Sequence, residues 1–139
     1  MPLSTSERAH VQSIMSKIVP QANELGGEAL EKMFLSFPQT KTSFPHLDLS
    51  PGSADLKNHG AKILKALGNA ANHLDDLHGN QSSLSDLHAY KMDPGNFRLL
   101  SKSIKAVMAR RFPNDFTAEV DAAWDKFMSE VGTAMNSKY

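Results

Sequence analysis

Two histidines are the residues of this chain best suited to bind a metal, because each stands in an apolar helical stretch. His88 shares one helix face with Leu84 and Met92, which lie four residues to either side. An imidazole on such a dry face is poorly solvated as a cation and is available as a neutral ligand. His59 is likewise one helical turn from Ile63. Because the chain has no cysteine, a soft-metal site would use histidine, methionine and carboxylates.

Two helices that each present one imidazole across an apolar slot can hold a flat iron cofactor between them. His88 would bind the iron, and His59 would lie on the opposite side, where a neutral imidazole can donate a hydrogen bond to dioxygen. Such a bond is worth ~1–3 kcal/mol and would slow loss of the ligand roughly tenfold or more. Ile63 would keep water out of the slot, and Phe44 would stack on the cofactor edge.

Each of these candidates also has a simpler explanation. A lone histidine on an apolar helix face is more often a core residue than a ligand, and Phe44-Pro45 alone is more often a packed corner. Lys62 and His46 are placed to meet acidic groups at the rim of a cofactor. The residues by themselves leave both interpretations open.

The elements that must position these residues are almost all helical. Apolar residues recur at helical spacing, and no segment shows the alternation of a strand. The sequence predicts helices over about residues 4–19, 20–36, 53–74, 82–92, 94–112 and 118–135. About seven helices with short corners, in an order unlike a simple four-helix bundle, favour an orthogonally packed all-α fold.

Local signals define several helix ends. Ser4 and Glu7 have the spacing of a capping box, and Thr117 is placed to cap the last helix. Pro94 is typical of the first position of a helix. Gly26-Gly27 lies inside the second helix, where glycine costs about 1 kcal/mol per residue relative to alanine. We therefore expect another helix to pack closely at this pair.

Composition limits the possible functions. The chain of 139 residues forms one expected domain, residues 1–139, and its net charge of zero gives little support for binding to nucleic acid or to anionic membranes. The basic face of Arg98, Lys102 and Lys105 lacks interleaved aromatic residues, so we expect it to be solvated or to contact a partner. No apolar run reaches membrane-spanning length, and the first residues lack a secretory signal core. The absence of cysteine fits a reducing compartment.

Several segments together resemble one family. They are EALEKMFLSFPQTKTSFPHLDLS, LKNHGAKI, LSDLHAYK, DPGNF, FTAEVDAAWDKF and the final NSKY. These segments look like the α-type subunits of vertebrate haemoglobin, and LSTSERAHVQSI and AAWDKF look more like embryonic α-type chains than adult ones. The resemblance covers essentially the whole chain. It implies a globin fold, with its helices packed around haem b.

The resemblance also implies roles for individual residues. His88 would be the proximal iron ligand, His59 the distal residue that faces the gas, and Phe44 the ring-stacking residue of the corner. Ile63 stands where the family usually has valine, which would tighten ligand access, and Leu47 stands where it usually has phenylalanine. Other residues match haem-pocket positions of the family: Leu84, Leu87, Met92, Asn96, Phe97, Leu100, Val131 and Met135.

The function implied by the resemblance is reversible binding of dioxygen, for transport or storage, in the cytoplasm of the erythrocyte, and not catalysis. Other diatomic gases would bind at the same place. Two alternatives would use the same histidines: a haem enzyme, such as one for nitric-oxide dioxygenation or weak peroxidase chemistry, and a six-coordinate gas or redox sensor with His59 also on the iron. A third is a helical interaction module without haem, in which His59 and His88 are core residues.

The resemblance implies assembly with β-type globin chains into a heterotetramer, but this chain departs from the family at the expected contacts. Two residues are missing between Met92 and Asp93, where the family's last tyrosine, here Tyr139, normally finds a backbone acceptor. Lys102 and Lys105 put charge at or near the tight dimer contact, where an unpaired buried ammonium would cost several kcal/mol. We therefore expect cooperative tetramer behaviour to be weakened or lost.

Overall fold

A computed structural model of the protein describes residues 3–44, 47–74 and 94–136. Most of these residues lie in helices. Two short 3₁₀ helices, Val19–Gln21 and Pro38–Ser43, form corners, and these ranges contain no strand. No helix within them is long and apolar enough to cross a membrane. The α-helices of these ranges are α1 (Thr5–Ile18), α2 (Ala22–Ser36), α3 (Ala54–Ala71), α4 (Pro94–Arg111) and α5 (Ala118–Asn136).

The predicted capping box of α1 is confirmed. The Glu7 amide donates to the Ser4 hydroxyl at 3.1 Å, and the Glu7 carboxylate accepts from the Ser4 amide at 2.8 Å. The hydrogen bond from the Ser4 backbone holds the pKa of Glu7 below its ordinary value. At the last helix, the Thr117 hydroxyl accepts from the Val120 amide at 3.3 Å, as its position predicts.

Helix α3 begins where Ser53 caps it and ends earlier than its sequence pattern predicts. The Ser53 hydroxyl accepts from the Leu56 amide at 3.1 Å and donates to the Asp48 carbonyl at 2.6 Å, so it joins the helix to the preceding loop. The helix ends at Ala71 rather than near residue 74, because the His73 amide donates to the Ala70 carbonyl at 3.0 Å and tightens the last turn.

Among the described helices, α2 and α3 share the most extensive interface, and a contact between two glycines lies within it. A Cβ atom added to Gly26 would lie 2.3 Å from the carbonyl carbon of Gly60, and one added to Gly60 would lie 2.2 Å from that of Gly26. The two backbones therefore touch where any other residue would hold them apart. The close packing expected at Gly26-Gly27 is confirmed, and Gly60 is the residue that meets it.

Ion pairs tie α4 to the helices on either side of it. Arg111 contacts Glu24 at 2.9 Å and Glu28 at 2.8 Å, and Arg110 also contacts Glu28. Burial raises the pKa of Glu28, but hydrogen bonds from the two guanidinium groups outweigh it, so the pKa lies below its ordinary value. Helix α2 and the end of α4 are thus held together through one partly buried carboxylate.

The ammonium group of Lys105 is paired, which corrects the expectation of an unpaired charge. Its Nζ atom lies 2.8 Å from Asp121 and 2.7 Å from Asp125, both on α5. Burial lowers the pKa of Lys105, but the two carboxylates raise it by more than burial lowers it. The pKa of Lys105 therefore lies above its ordinary value. The sequence expectation failed because the carboxylates that accept this cation belong to a different helix.

Several predictions concern residues outside the described ranges. They are the helix over 82–92, the histidines His46 and His88, the corner residue Pro45, and the shortened corner between Met92 and Asp93.

Candidate functional site

His59 is held inside the protein by the α2–α3 crossing. It immediately precedes Gly60, the residue of α3 that touches the backbone of α2, so its backbone position is fixed by that contact. The residue is 9% exposed and its Nε2 atom is buried. A polar ring is thus placed within an otherwise apolar face of α3.

An aromatic contact joins His59 to the corner that follows α2. The rings of Phe44 and His59 have centroids 5.4 Å apart at an interplanar angle of 77°, so one ring presents its edge to the face of the other. Phe44 is fully buried, and Phe34 of α2 contacts it at 5.6 Å and 66°. Three rings from three elements therefore form one continuous edge-to-face row.

The corner itself is fixed by hydrogen bonds. The Thr40 hydroxyl donates to the Phe37 carbonyl at 2.7 Å, and the Phe44 amide donates to the Lys41 carbonyl at 3.1 Å. Thr40 is only 1% exposed, so its hydroxyl finds its partner within the turn rather than in water. These bonds orient the Phe44 ring toward α3.

The other apolar candidates among the described residues are buried in the core. Ile63, one turn beyond His59, is buried and lines a small void together with Leu100 of α4. Val131 of α5 and Phe97 of α4 are buried as well. The structure therefore places these four residues in the core, as expected for the walls of an apolar site.

The remaining described candidates lie at the margin of the core. Leu47 is half-buried and packs against the core, and Asn96 is half-buried. Lys62 is exposed on α3, in keeping with a position at a rim. Residues His46, Leu84, Leu87, His88 and Met92 lie outside the described ranges, and the side chain of Met135 is not described.

Three residues that support the site were not among the sequence candidates. Phe34 backs the Phe44 ring, Thr40 fixes the corner, and Gly60 sets the distance between α2 and α3. Phe34 belongs to the apolar stripe of α2, which marks it as a core residue but not as the neighbour of Phe44. The proximity of Gly60 to the Gly26-Gly27 pair has no signal in a single sequence.

The described geometry suits one kind of ligand. A buried imidazole beside an aromatic edge and aliphatic walls can donate a single hydrogen bond in a place from which water is excluded. Such a donor is useful to a small ligand that carries little charge, and the aromatic row offers contact to a flat apolar group. The donor set and its surroundings therefore fit the side of a haem at which a gas binds.

Comparison with known proteins identifies the family. The family model described as Globin matches residues 27–135. The chain belongs to the globin family. Hemoglobin subunit alpha-3 of Aquarana catesbeiana is 64% identical to this globin over 139 residues, and the match covers 99% of each chain.

Other relatives of this globin carry α-type names. Hemoglobin subunit alpha-3 of Xenopus laevis is 57% identical over 141 residues, covering 100% of this chain and 99% of the relative. Hemoglobin subunit zeta of Homo sapiens is 52% identical with the same coverage. The α-type resemblance noted in the sequence is thus confirmed over the full length of this globin.

Proposed function

We propose that this globin is an α-type haemoglobin subunit that binds haem b and reversibly carries dioxygen. The observation that carries the proposal is the buried His59 ring, held against Phe44 at 5.4 Å in a chain that belongs to the globin family. Haem supplies the iron at which dioxygen binds reversibly. The protein supplies the apolar enclosure, the hydrogen-bond donor and the iron ligand.

In this proposal the two histidines have separate roles. His88 holds the iron as the proximal ligand, and His59 donates a hydrogen bond from its ring to the bound gas. Phe44 packs against the haem ring, and Ile63 keeps water out on the side of His59. Lys62 and His46 meet the acidic groups of the haem at its rim. The other pocket residues are those that the resemblance assigned.

The protein acts as a carrier and not as an enzyme, in the cytoplasm of the erythrocyte. The described residues closest to His59 along its helix and across the aromatic contact, Ile63 and Phe44, are aliphatic and aromatic. This arrangement favours holding a ligand over transforming it. Dioxygen and other diatomic gases are the expected ligands.

Replacement of His59 tests the proposal. In His59→Leu, loss of a hydrogen bond of ~1–3 kcal/mol should speed dioxygen dissociation roughly tenfold or more, measured by stopped-flow displacement with carbon monoxide. His73→Leu is the matched control, because His73 is exposed and its ring bonds the Asn69 carbonyl, four residues earlier, at 2.8 Å. If dioxygen dissociates at the same rate from His59→Leu and from the unaltered chain, His59 does not donate a hydrogen bond to the bound gas.

The partners of this subunit are β-type globin chains in a heterotetramer. Pairing of Lys105 with Asp121 and Asp125 removes one of the charges expected to oppose assembly. Lys102 stays exposed on α4, so weakened cooperativity remains our proposal for the assembled protein. Sedimentation and oxygen-binding curves with a β-type partner test it, and a stable tetramer with a Hill coefficient well above one would contradict it.

A further inference from the structure

Phe34 of α2 lies at the far end of the aromatic row that leads to His59. Its ring meets Phe44 with centroids 5.6 Å apart at an interplanar angle of 66°, and Phe44 meets His59 at 5.4 Å and 77°. Phe34 is 3% exposed, and Phe44 is fully buried. The Phe44 ring is therefore held between a side chain of α2 and a side chain of α3.

The backbone of the corner does not by itself determine how the Phe44 ring is turned. Hydrogen bonds to the carbonyls of Phe37 and Lys41 fix the turn and aim the ring toward α3. The second side-chain torsion of a phenylalanine has a broad energy minimum, so neighbouring atoms decide the plane of the ring. For Phe44 the aromatic neighbour on the α2 side is Phe34.

The two helices that carry the ends of the row cannot easily change their separation. Gly60, next to His59 on α3, touches the backbone of Gly26 on α2. Because this contact joins backbone atoms, it fixes the distance between the helices close to the row. A packed core relaxes only in part around a lost side chain. A smaller side chain in place of Phe34 would therefore leave the Phe44 ring free to tilt.

We propose that Phe34 is a positioning residue for gas binding: it holds the plane of the Phe44 ring, and that ring sets the orientation of the His59 imidazole. The inference rests on the proposed role of His59 as the hydrogen-bond donor. A hydrogen bond weakens steeply as the donor, the hydrogen and the acceptor depart from a straight line. A modest rotation of the imidazole is therefore enough to weaken the bond to dioxygen. Phe34 acts on the gas through two other side chains.

Replacement of the Phe34 ring by aliphatic side chains tests the proposal in the haem-loaded full chain. Phe34→Leu removes the ring, and Phe34→Met removes it with an unbranched, flexible side chain that can fill the space. Each variant should release dioxygen about two- to tenfold faster, the factor that corresponds to the energy of an edge-to-face aromatic contact. Stopped-flow displacement with carbon monoxide measures the rate. The C–O stretching frequency of the carbon-monoxide complex should rise, because a weaker donor then faces the bound gas.

Phe127→Leu is the matched control for the loss of a buried ring. Phe127 of α5 is fully buried, and its ring contacts Trp124 with centroids 5.7 Å apart at 53°. This variant also loses an aromatic pair, so it should lower the midpoint of urea unfolding. It should leave the dioxygen dissociation rate and the C–O stretching frequency unchanged. Equal effects of Phe127→Leu and Phe34→Leu on both readouts would show a general loosening of the core and would overturn the proposal.

The double variant Phe34→Leu/His59→Leu shows whether Phe34 acts through His59. The proposal predicts that Phe34→Leu has no further effect on dioxygen dissociation once residue 59 is leucine. A full effect in that background would overturn it, and so would loss of haem from both Phe34 variants. Unchanged rates in Phe34→Leu and Phe34→Met beside fast release from His59→Leu would overturn this inference alone. An unchanged rate in His59→Leu would overturn the proposed role of His59 and the inference with it.

Discussion

The contact between Gly26 and Gly60 makes a sharp prediction about stability. In Gly26→Ala the new Cβ would lie 2.3 Å from the Gly60 carbonyl carbon, 2.5 Å from its oxygen and 2.8 Å from the Ala61 nitrogen. All three atoms are backbone, so no side chain can rotate away. Restoring an ordinary carbon–carbon separation of about 3.5 Å requires α2 and α3 to move apart by roughly 1.2 Å.

The energetic balance follows from these distances. Alanine should stabilise the helix by up to about 1 kcal/mol relative to glycine, whereas forcing a packed contact apart costs about 1–3 kcal/mol. Because the obstacle is backbone, we expect the upper part of that range and a net loss of about 1–2 kcal/mol. The neighbouring Gly27 is the matched control, since its Cβ would meet the Lys57 Cγ at 3.2 Å, and that side chain can move.

Urea unfolding of the haem-loaded, carbon-monoxide-bound chain, followed by circular dichroism at fixed haem concentration, measures this difference. We expect Gly26→Ala to be less stable than Gly27→Ala by about 2 kcal/mol, with Gly27→Ala near the unaltered chain or above it. Because His59 adjoins Gly60, we also expect altered dioxygen dissociation only in Gly26→Ala. Equal stability of the two variants would refute the argument that the backbones touch here.

Three further predictions concern individual polar contacts. Ser53→Ala should lower the free energy of unfolding by about 1 kcal/mol through loss of the α3 cap, whereas Ser16→Ala on the exposed face of α1 should change it little in the same urea assay; equal effects would contradict the cap. Glu28→Gln should lower the free energy of unfolding, and the loss should be larger near neutral pH than at acid pH. Because the folded pKa of Glu28 is lowered, its contribution is present above the ordinary value of 4.5 and is lost as the pH falls through the folded pKa, so a pH-independent cost would contradict the ion pairs. Lys105→Met should lower the free energy of unfolding by roughly 1 kcal/mol at low ionic strength and by less in high salt, because it leaves two carboxylates without their cation. Urea denaturation curves at low and high salt measure this loss, and a loss that does not depend on salt would contradict the prediction.

The sequence predicted those features that depend on neighbours along the chain. The capping box of Ser4 and Glu7 is visible because both partners lie within one helical turn. The apolar periodicity of each described helix defines its buried face, and the two glycines inside α2 indicate that another helix approaches. The early end of α3 was not predicted, because a single tightened turn at its end competes only weakly with a continuing apolar pattern.

Features that join distant parts of the chain were not predictable in this way. Nothing in one sequence indicates that Phe34 backs Phe44, or that Gly60 is the residue that meets Gly26. The expectation for Lys105 was wrong for the same reason: its carboxylate partners lie on α5, and only the packing of two helices brings them within 3 Å. For the candidate site, residue types indicated the chemistry of His59, and the fold determined its burial.

The visible absorption spectrum of the purified, haem-loaded chain in the reduced state, with and without carbon monoxide, tests the central claim most directly. The claim is that His88 holds the iron while His59 remains available to the gas. It predicts a five-coordinate ferrous spectrum that converts fully to a stable carbon-monoxide form. A six-coordinate spectrum before the gas is added would contradict the role of His59, and the absence of any haem band after reconstitution would contradict the whole assignment.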